Sequence, residues 1–566
     1  MQRIRFRSSL ILVSVALVAV GASLHAGSAP VRATQGLVVS QSDLASDVGF
    51  AVIQGGGNAI DAAVATAFAL AVTHPTAGNI GGGGFLVYRP ETGEPVAYDF
   101  RETAPAGSHP EMWLKGGVYD RELHHNSHRA VGVPGSVAGL HLAWKEHGSK
   151  PWAELVAPAV KLARDGFEVS YALARSLEGQ IPIFKKYPAS LAQFTKSGAP
   201  YQSGDILRQP DLARSLERIA AQGPAGFYEG EVALLLEKEM LAHGGLIMRA
   251  DLKAYQAKKR AVIQGNYRGY EVFSMPPPSS GGVALVQMLN VLEGWDLKAN
   301  GYGAAQNLHY MAEAMRRAFA DRARHLGDPD FVRDLPVARL TSKDYAATLR
   351  KTIAPDRASR SSPATFTWPA ESQETTHLSV VDARRNAVAL TTTLEAGYGS
   401  RIVAPGTGFL LNNEMGDFNA GPGLTDTQGL IGTEPNLAAP GKRMLSSMTP
   451  TILAKDGKLF MVTGSPGGRT IINTVLMTIL NVVDFGMNAQ EAVDGGRIHH
   501  QWLPDRLNVE RYGFSADTLN ALKDRGHTIN EVAAQGVAEV IVLNSKTNVL
   551  EGGLDRRAAD GGASGK

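Results

Sequence analysis

Thr375-Thr376-His377 opens a run of β-branched residues directly after a Pro/Ser/Thr-rich stretch. A threonine hydroxyl is a weak nucleophile, and one way to activate it is an adjacent N-terminal amine acting as base. Cutting the chain immediately before Thr375 creates that amine. Attack of the threonine's own hydroxyl on the preceding carbonyl, followed by opening of the ester by water, makes the cut without a separate protease. Acyl transfer also needs donors aimed at a developing oxyanion. Gly464-Ser465-Pro466-Gly467-Gly468 offers them, because it joins a strand to an apolar helix over about 469–485. Backbone N–H groups at a helix N-terminus favour negative charge. Polar residues able to grip a substrate stand near other strand ends: Arg101 in Asp99-Phe100-Arg101-Glu102, Glu414 and Asp417 in Asn412-Asn413-Glu414-Met415-Gly416-Asp417, and the pair Ser446-Ser447. Taken singly, each fits a solvated turn or a structural ion pair equally well.

These residues need strands and turns to position them. Thr375–Asp382 and Ala387–Thr393 are rich in β-branched residues and read as two strands joined by a four-residue loop. Pairing Asp382 with Ala387 sets Thr375 opposite Leu394, and a slip of one residue brings Thr393 beside Thr375. A second hairpin runs from Thr451–Lys455 through Asp456-Gly457 to Lys458–Thr463, since Asp-Gly favours the two-residue primed turn. Ala59–Val72 is an Ala-rich apolar helix, and the strand Phe85–Tyr88 follows the glycine run Gly78 to Gly84. That run is no phosphate cradle: a P-loop places its helix after the glycines and ends in Lys-Ser/Thr. Residues 150–260 and 303–326 are helical in pattern. Three prolines keep Met275–Gly282 irregular. Residues 354–374 form the best linker in the chain.

Composition narrows the function further. The 566 residues are 44% hydrophobic and 19% charged with a formal charge of +2, and no basic stripe with interleaved aromatics argues for nucleic acid. The chain has no cysteine, which removes thiol catalysis, disulfides and Cys-ligated metals. Arg3, Arg5 and Arg7, the apolar Leu10–Val20 and the small residues after them read as an export signal over residues 1–26, with Ala29 and Ala33 as later candidate cut points. No other stretch reaches about 18 apolar residues. The expected product is therefore a soluble periplasmic or secreted protein with no stable membrane anchor.

Thr375-Thr376-His377, Leu411-Asn412-Asn413-Glu414, Leu445-Ser446-Ser447-Met448 and Gly464–Gly468 together resemble the γ-glutamyltransferase (γ-glutamyltranspeptidase) family. Thr73-His74-Pro75, Asp99–Glu102 and Pro276–Gly282 extend that resemblance, in order, across about residues 50–505. The resemblance implies an N-terminal-nucleophile hydrolase: an α+β, four-layer αββα sandwich of two stacked antiparallel sheets flanked by helices. It implies a precursor cut into a large subunit (34–374) and a small one (375–566) that remain one αββα unit. Thr375 would be the nucleophile and Thr393 its hydroxyl partner. Gly467 and Gly468 would supply the oxyanion N–H groups. Arg101, Ser446 and Ser447 would hold the α-carboxylate of a γ-glutamyl group, with Glu414, Asp417 and Glu395 around its α-amine. The substrates implied are glutathione and other γ-glutamyl compounds, with water, an amino acid or a dipeptide as acceptor. No cofactor or metal is called for.

The chain departs from a common bacterial pattern of the family in places. Glu395 stands where many members carry asparagine, although some others share the glutamate. Gln428, in the lid-like segment 422–433, stands where lidded members carry tyrosine, and Glu374 is an unusual residue before the cut. The nearest alternative is a cephalosporin (glutaryl) acylase on the same fold. A glutaryl group lacks the α-amine, so Glu414, Asp417 and Glu395 favour glutamyl. A non-catalytic binding protein would have lost the nucleophile or the glycines, and neither is lost. A metal enzyme would draw on His124, His125 and His128 or on His499 and His500, and neither group has strong ligand spacing with nearby acids.

Overall fold

The computed structural model describes residues 28–361, 375–424 and 432–566. Ala26, Glu374 and Gln428 lie outside the described residues. Two seven-stranded antiparallel sheets dominate the fold. Their strands are β1 Val31–Ala33, β2 Leu37–Ser40, β3 Gly83–Arg89, β4 Val96–Phe100, β5 Lys258–Ala261, β6 Ile263–Tyr267, β7 Tyr270–Ser274, β8 Thr376–Val381, β9 Ala387–Thr393, β10 Thr451–Lys455, β11 Lys458–Gly464, β12 Glu539–Asn544, β13 Val549–Leu554 and β14 Gly562–Gly565. The first sheet runs β14-β2-β8-β9-β3-β4-β5 and the second β1-β13-β12-β11-β10-β7-β6. Chain ends and middle interleave in both, so segments on either side of the proposed cut share each sheet.

The helices fall into two outer layers. Helices α1 (Asp43–Gln54), α2 (Ala59–Thr73), α3 (Trp152–Asp165), α4 (Pro210–Gln222) and α5 (Gly230–His243) share a core with the outer face of the first sheet. Helices α6 (Gly281–Leu292), α7 (Ala305–His325) and α8 (Thr470–Val483) pack on the second sheet. All of α2 is buried, as its alanine-rich sequence predicts, and a reciprocal Asn58–Asp61 capping box starts it. The result is a four-layer αββα sandwich.

Strand periodicity sorts β8 and β9 between the layers. Leu378, Val380, Val388 and Leu390 enter the core under the helices, whereas Val381, Ala387 and Ala389 enter the core shared with the second sheet. Odd-numbered residues of both strands therefore face the other sheet, because side chains alternate with period two. That places Thr375 and Thr393 on the inter-sheet side.

The register differs by one residue from the simplest reading of the hairpin. Val381, rather than Asp382, pairs with Ala387, and Thr376 pairs with Thr392. Asp382 is taken into the loop: its N–H donates to the Asn386 carbonyl at 3.1 Å, and its carboxylate accepts from the N–H groups of Arg384 and Asn386 at 2.9 and 3.0 Å. A loop one residue longer produces the slip that sets Thr375 across from Thr393. The second hairpin forms at Asp456-Gly457, both residues having positive φ, with a bulge after Leu453.

Next to Thr393, β3 runs unusually close to β9. A Cβ on Gly82 would lie 2.1 Å from the Thr393 carbonyl oxygen, and one on Gly84 2.4 Å from that of Thr391. Backbone proximity, and not anion binding, accounts for this glycine run.

Candidate active site

Thr375 is buried at the head of β8, and its Oγ1 lies 3.5 Å from Thr393 Oγ1 at the end of β9. The N–H of Glu395 donates to the same Thr393 oxygen at 2.9 Å. Two residues along, His377 Nδ1 contacts Thr391 Oγ1 at 2.8 Å and Nε2 contacts Ser379 Oγ at 3.2 Å. Burial pushes the His377 pKa down to about 3, so the ring stays neutral. A Cβ on Gly464 would fall 2.1 Å from the His377 Cε1. The histidine of the Thr-Thr-His motif thus fits β8 against β11, with both ring nitrogens engaged by Thr391 and Ser379.

The chain leaves β11 through Gly467 (φ +124°) and Gly468 (φ +55°), backbone conformations that favour glycine, and enters α8 at Thr470. The hydroxyl of Thr470 donates to the Gly467 carbonyl at 2.7 Å, and Ser465 Oγ accepts from the Val537 N–H at 3.0 Å. Gly468 lines a small cavity together with Thr375, Thr393, Arg101, Glu395, Glu414, Asp417, Ser446 and Ser447. Gly467 and Thr375 line a second, larger cavity. The residues expected to act on substrate, Gly467 excepted, therefore meet in one small cavity, and Thr375 lines both it and the larger one.

Buried charge dominates one end of the small cavity. The Arg101 guanidinium is paired with Glu414 and Asp417, lies 3.7 Å from Glu102, and donates to the Met444 carbonyl at 3.3 Å. Burial opposes its charge, but Glu414, Asp417 and Glu102 hold its pKa above the ordinary arginine value. Burial pushes Glu414 well above the usual carboxylate range, against the pull of Arg101 and with Glu102, Asp417 and Glu395 adding to the rise. Burial likewise raises Glu102 to about 7, again opposed by Arg101. Glu395, with a positive φ of +76°, is held by the Asn413 amide, and His125 Nδ1 lies 3.6 Å from it. Glu414 Oε2 and both Glu102 oxygens have no hydrogen-bond partner among the described residues. Three carboxylates thus surround one buried arginine, with Glu395 close to Glu414.

The opposite end is made of hydroxyls and backbone. The Pro-rich segment ahead of α6 forms its frame: Ser446 N–H donates to the Pro278 carbonyl at 2.9 Å, and Ser280 N–H and Oγ both donate to the Ser446 carbonyl, at 2.8 and 2.6 Å. Arg322, buried on α7, donates to Ser280 Oγ at 2.7 Å and to Ser447 Oγ at 3.0 Å. Sequence reasoning missed Arg322, which sits in an ordinary helical pattern with no local signal. It also passed over Glu102 and Asn413, although both lie inside the quoted motifs. Asn413, the orienting partner of Glu395, reads locally as a turn residue.

The histidines weighed as metal ligands separate. His124 stacks on Trp113 with ring centroids 4.3 Å apart, His125 faces Glu395, and His128 contacts Glu239 at 2.9 Å. His499 contacts the Asn473 amide and His500 lies 3.3 Å from Asp505. Neither group converges on a common point.

Comparison with known proteins agrees with this geometry. The family model described as gamma-glutamyltranspeptidase matches residues 45–565. Over 536 residues the chain is 48% identical to a glutathione hydrolase proenzyme of Escherichia coli (strain K12), covering 94% of this chain and 92% of that protein. A cephalosporin acylase from Bacillus halodurans superposes with a TM-score of 0.86 at 28% identity, over 98% of this chain and 99% of that one. The Helicobacter pylori gamma-glutamyltranspeptidase is 49% identical with a TM-score of 0.55, over 56% of this chain and 91% of that one.

Proposed function

The chain belongs to the gamma-glutamyltranspeptidase family, and we propose that it is a γ-glutamyltransferase and glutathione hydrolase that matures by cutting itself before Thr375. In maturation the Thr375 hydroxyl attacks the carbonyl of Glu374 and the peptide bond becomes an ester, which water opens. This frees the Thr375 α-amine and leaves a large subunit that ends at residue 374 and a small one of residues 375–566. In turnover that amine takes the hydroxyl proton while Oγ1 attacks the γ-amide carbonyl. The oxyanion is received by the N–H groups of Gly467 and Gly468. The amine leaves with the proton, and the γ-glutamyl ester on Thr375 passes to water, an amino acid or a dipeptide.

The observation that carries this reading is the surplus of buried carboxylate in the cavity that Thr375 lines. A buried charge without a partner is costly. Glu414 Oε2 has no hydrogen-bond partner among the described residues; a ligand bringing an α-ammonium supplies one there, with Asp417 and Glu395 beside it, and its α-carboxylate is met by Arg101, Ser446 and Ser447. A glutaryl ligand brings only another anion. The acylase-like fold is therefore compatible with a glutamyl donor, and the charge balance selects it. The decisive comparison is turnover of γ-glutamyl- against glutaryl-p-nitroanilide, with N-terminal sequencing of the smaller fragment. A strong γ-glutamyl preference and a fragment starting at Thr375 support the proposal; equal use of both donors, or a fragment starting elsewhere, defeats it.

The same reading includes export, with removal of residues 1–26 and a periplasmic or secreted product. Val31–Ala33 pairs with Leu550–Gly552 at a sheet edge, so a cut after Ala26 keeps a strand that a cut after Ala33 would discard. Among the described residues no helix is long and apolar enough to cross a membrane.

A further inference from the structure

Away from the Thr375 cavity, three side chains from two elements converge. His128 opens a single 3-10 turn, His128–Ala130, while Glu239 and His243 stand one turn apart on α5. His128 Nε2 lies 2.9 Å from Glu239 Oε1, and His243 Nε2 lies 3.6 Å from the same oxygen. All three ligand atoms are within 4.8 Å of one another. The two imidazoles stack, with centroids 4.7 Å apart and planes 21° from parallel. The chain leaving α5 passes close over this point: a Cβ on Gly245 would sit 3.1 Å from that of His128.

These distances suit a small four-coordinate ion. Bonds of about 2.0–2.1 Å to nitrogen and oxygen put tetrahedral ligand atoms about 3.3 Å apart, and the two measured separations bracket that figure. Two neutral imidazoles and one carboxylate match a borderline-soft divalent ion such as zinc, whereas magnesium and calcium prefer oxygen alone. The exposure gradient, from buried His128 to exposed His243, leaves the fourth position open to water.

A second cluster shows what such a site must avoid. His309, Glu313 and His527 offer the same donor types and are fully buried. There, however, Glu313 is already paired with Arg316 and Arg317 and accepts from Ser359. A dication would meet two guanidiniums, so that cluster is a charge network.

We infer that His128, Glu239 and His243 form a binding site for one zinc-class divalent ion, with water as fourth ligand, tying the 128–130 turn to α5. Binding uses the Nε2 lone pair of His128, so the ring's proton is carried on Nδ1. No step at Thr375 passes through the ion.

The test uses processed, tag-free protein stripped with a chelator and titrated with Zn²⁺ by calorimetry and with Co²⁺ by visible absorption. The expected result is one equivalent bound, a four-coordinate Co²⁺ spectrum, and affinity reduced at least ~10-fold in His243→Ala and in Glu239→Gln, with γ-glutamyl turnover unchanged. Absence of a stoichiometric site in the wild type, a six-coordinate spectrum, or full affinity in the His128→Ala/His243→Ala double variant would overturn it. Turnover reports whether each variant is folded, so a misfolded variant cannot pass for a positive result.

Discussion

The two ends of the Thr375 cavity are built in different ways. At one end Glu102, Glu414 and Asp417 surround Arg101, and Glu414 Oε2 and both Glu102 oxygens lack hydrogen bonds among the described residues. At the other, Ser446 and Ser447 are braced by the backbone of Pro278, by Ser280 and by Arg322 through directed hydrogen bonds. In the proposed function the acidic end receives the cationic group of the ligand. The hydroxyl end is largely satisfied already and adds orientation. In the proposed function, specificity should therefore be lost mainly at the acidic end and precision of placement at the other.

The largest effect lies at the junction of the two. Thr375→Ala removes the nucleophile for both cleavage and turnover, so denaturing gels should show one uncut chain and γ-glutamyl-p-nitroanilide turnover should fall by roughly 10⁴-fold or more. Two bands with retained activity would show that neither end serves this threonine.

Next comes the acidic end. Glu414→Gln keeps the shape but removes a charge-assisted contact to the substrate amine, a loss of about 2–3 kcal/mol, or roughly 30–150-fold in kcat/KM. The same variant should narrow the γ-glutamyl over glutaryl preference. If kcat/KM falls equally for both donors, the carboxylates are structural and the contrast between the ends is wrong.

At the hydroxyl end the loss should be smaller. Ser447→Ala removes a neutral donor, about 1 kcal/mol or roughly 5–10-fold, chiefly in KM. Arg322→Lys should behave similarly, since a point charge cannot span Ser280 and Ser447 as the guanidinium fork does. Additive losses in the Arg322→Lys/Ser447→Ala double variant would indicate that the arginine does not act through the serine.

The smallest effect is on stability. Glu102 is raised by burial from 4.5 to about 7, with Arg101 opposing. Its unfolded form ionises first, so the folded state gains stability below about pH 4.5 and loses it as pH rises through about 7. Wild type should therefore lose about 1–3 °C of Tm relative to Glu102→Gln between pH 5 and pH 8, roughly. Saturation with a γ-glutamyl ligand should shrink that difference. Parallel Tm curves would mean that Glu102 carries no net charge burden.

Much of this contrast was legible from local sequence. Thr375, Gly467 and Gly468 announce themselves through a linker, a strand start and a strand-to-helix glycine turn. The Asp-Gly hairpin and the buried helix α2 follow from turn chemistry and composition. The hairpin carrying Thr393 was read one residue out because Asp382 looks like a strand end, whereas its carboxylate caps the loop. Arg322 was invisible because a helical arginine gives no local sign of whether it reaches solvent or a buried serine. The split between His125 and His128 escaped notice too, because neighbours in sequence faced different partners, Glu395 and Glu239.

The sequence by itself determined which residue types were available: a threonine behind a linker, glycines able to take positive φ, one arginine and several acids near strand ends. Local propensity and turn chemistry are short-range, so a single chain displays them directly. Only the tertiary structure decided that β8, β9, β11 and the segments around Arg101, Glu414 and Ser446 end at the same point between two sheets. It also decided that the acids there outnumber their cation. Charge balance belongs to a volume rather than a segment, and burial, which turns that imbalance into a preference for an ammonium-bearing substrate, exists only once the layers have closed.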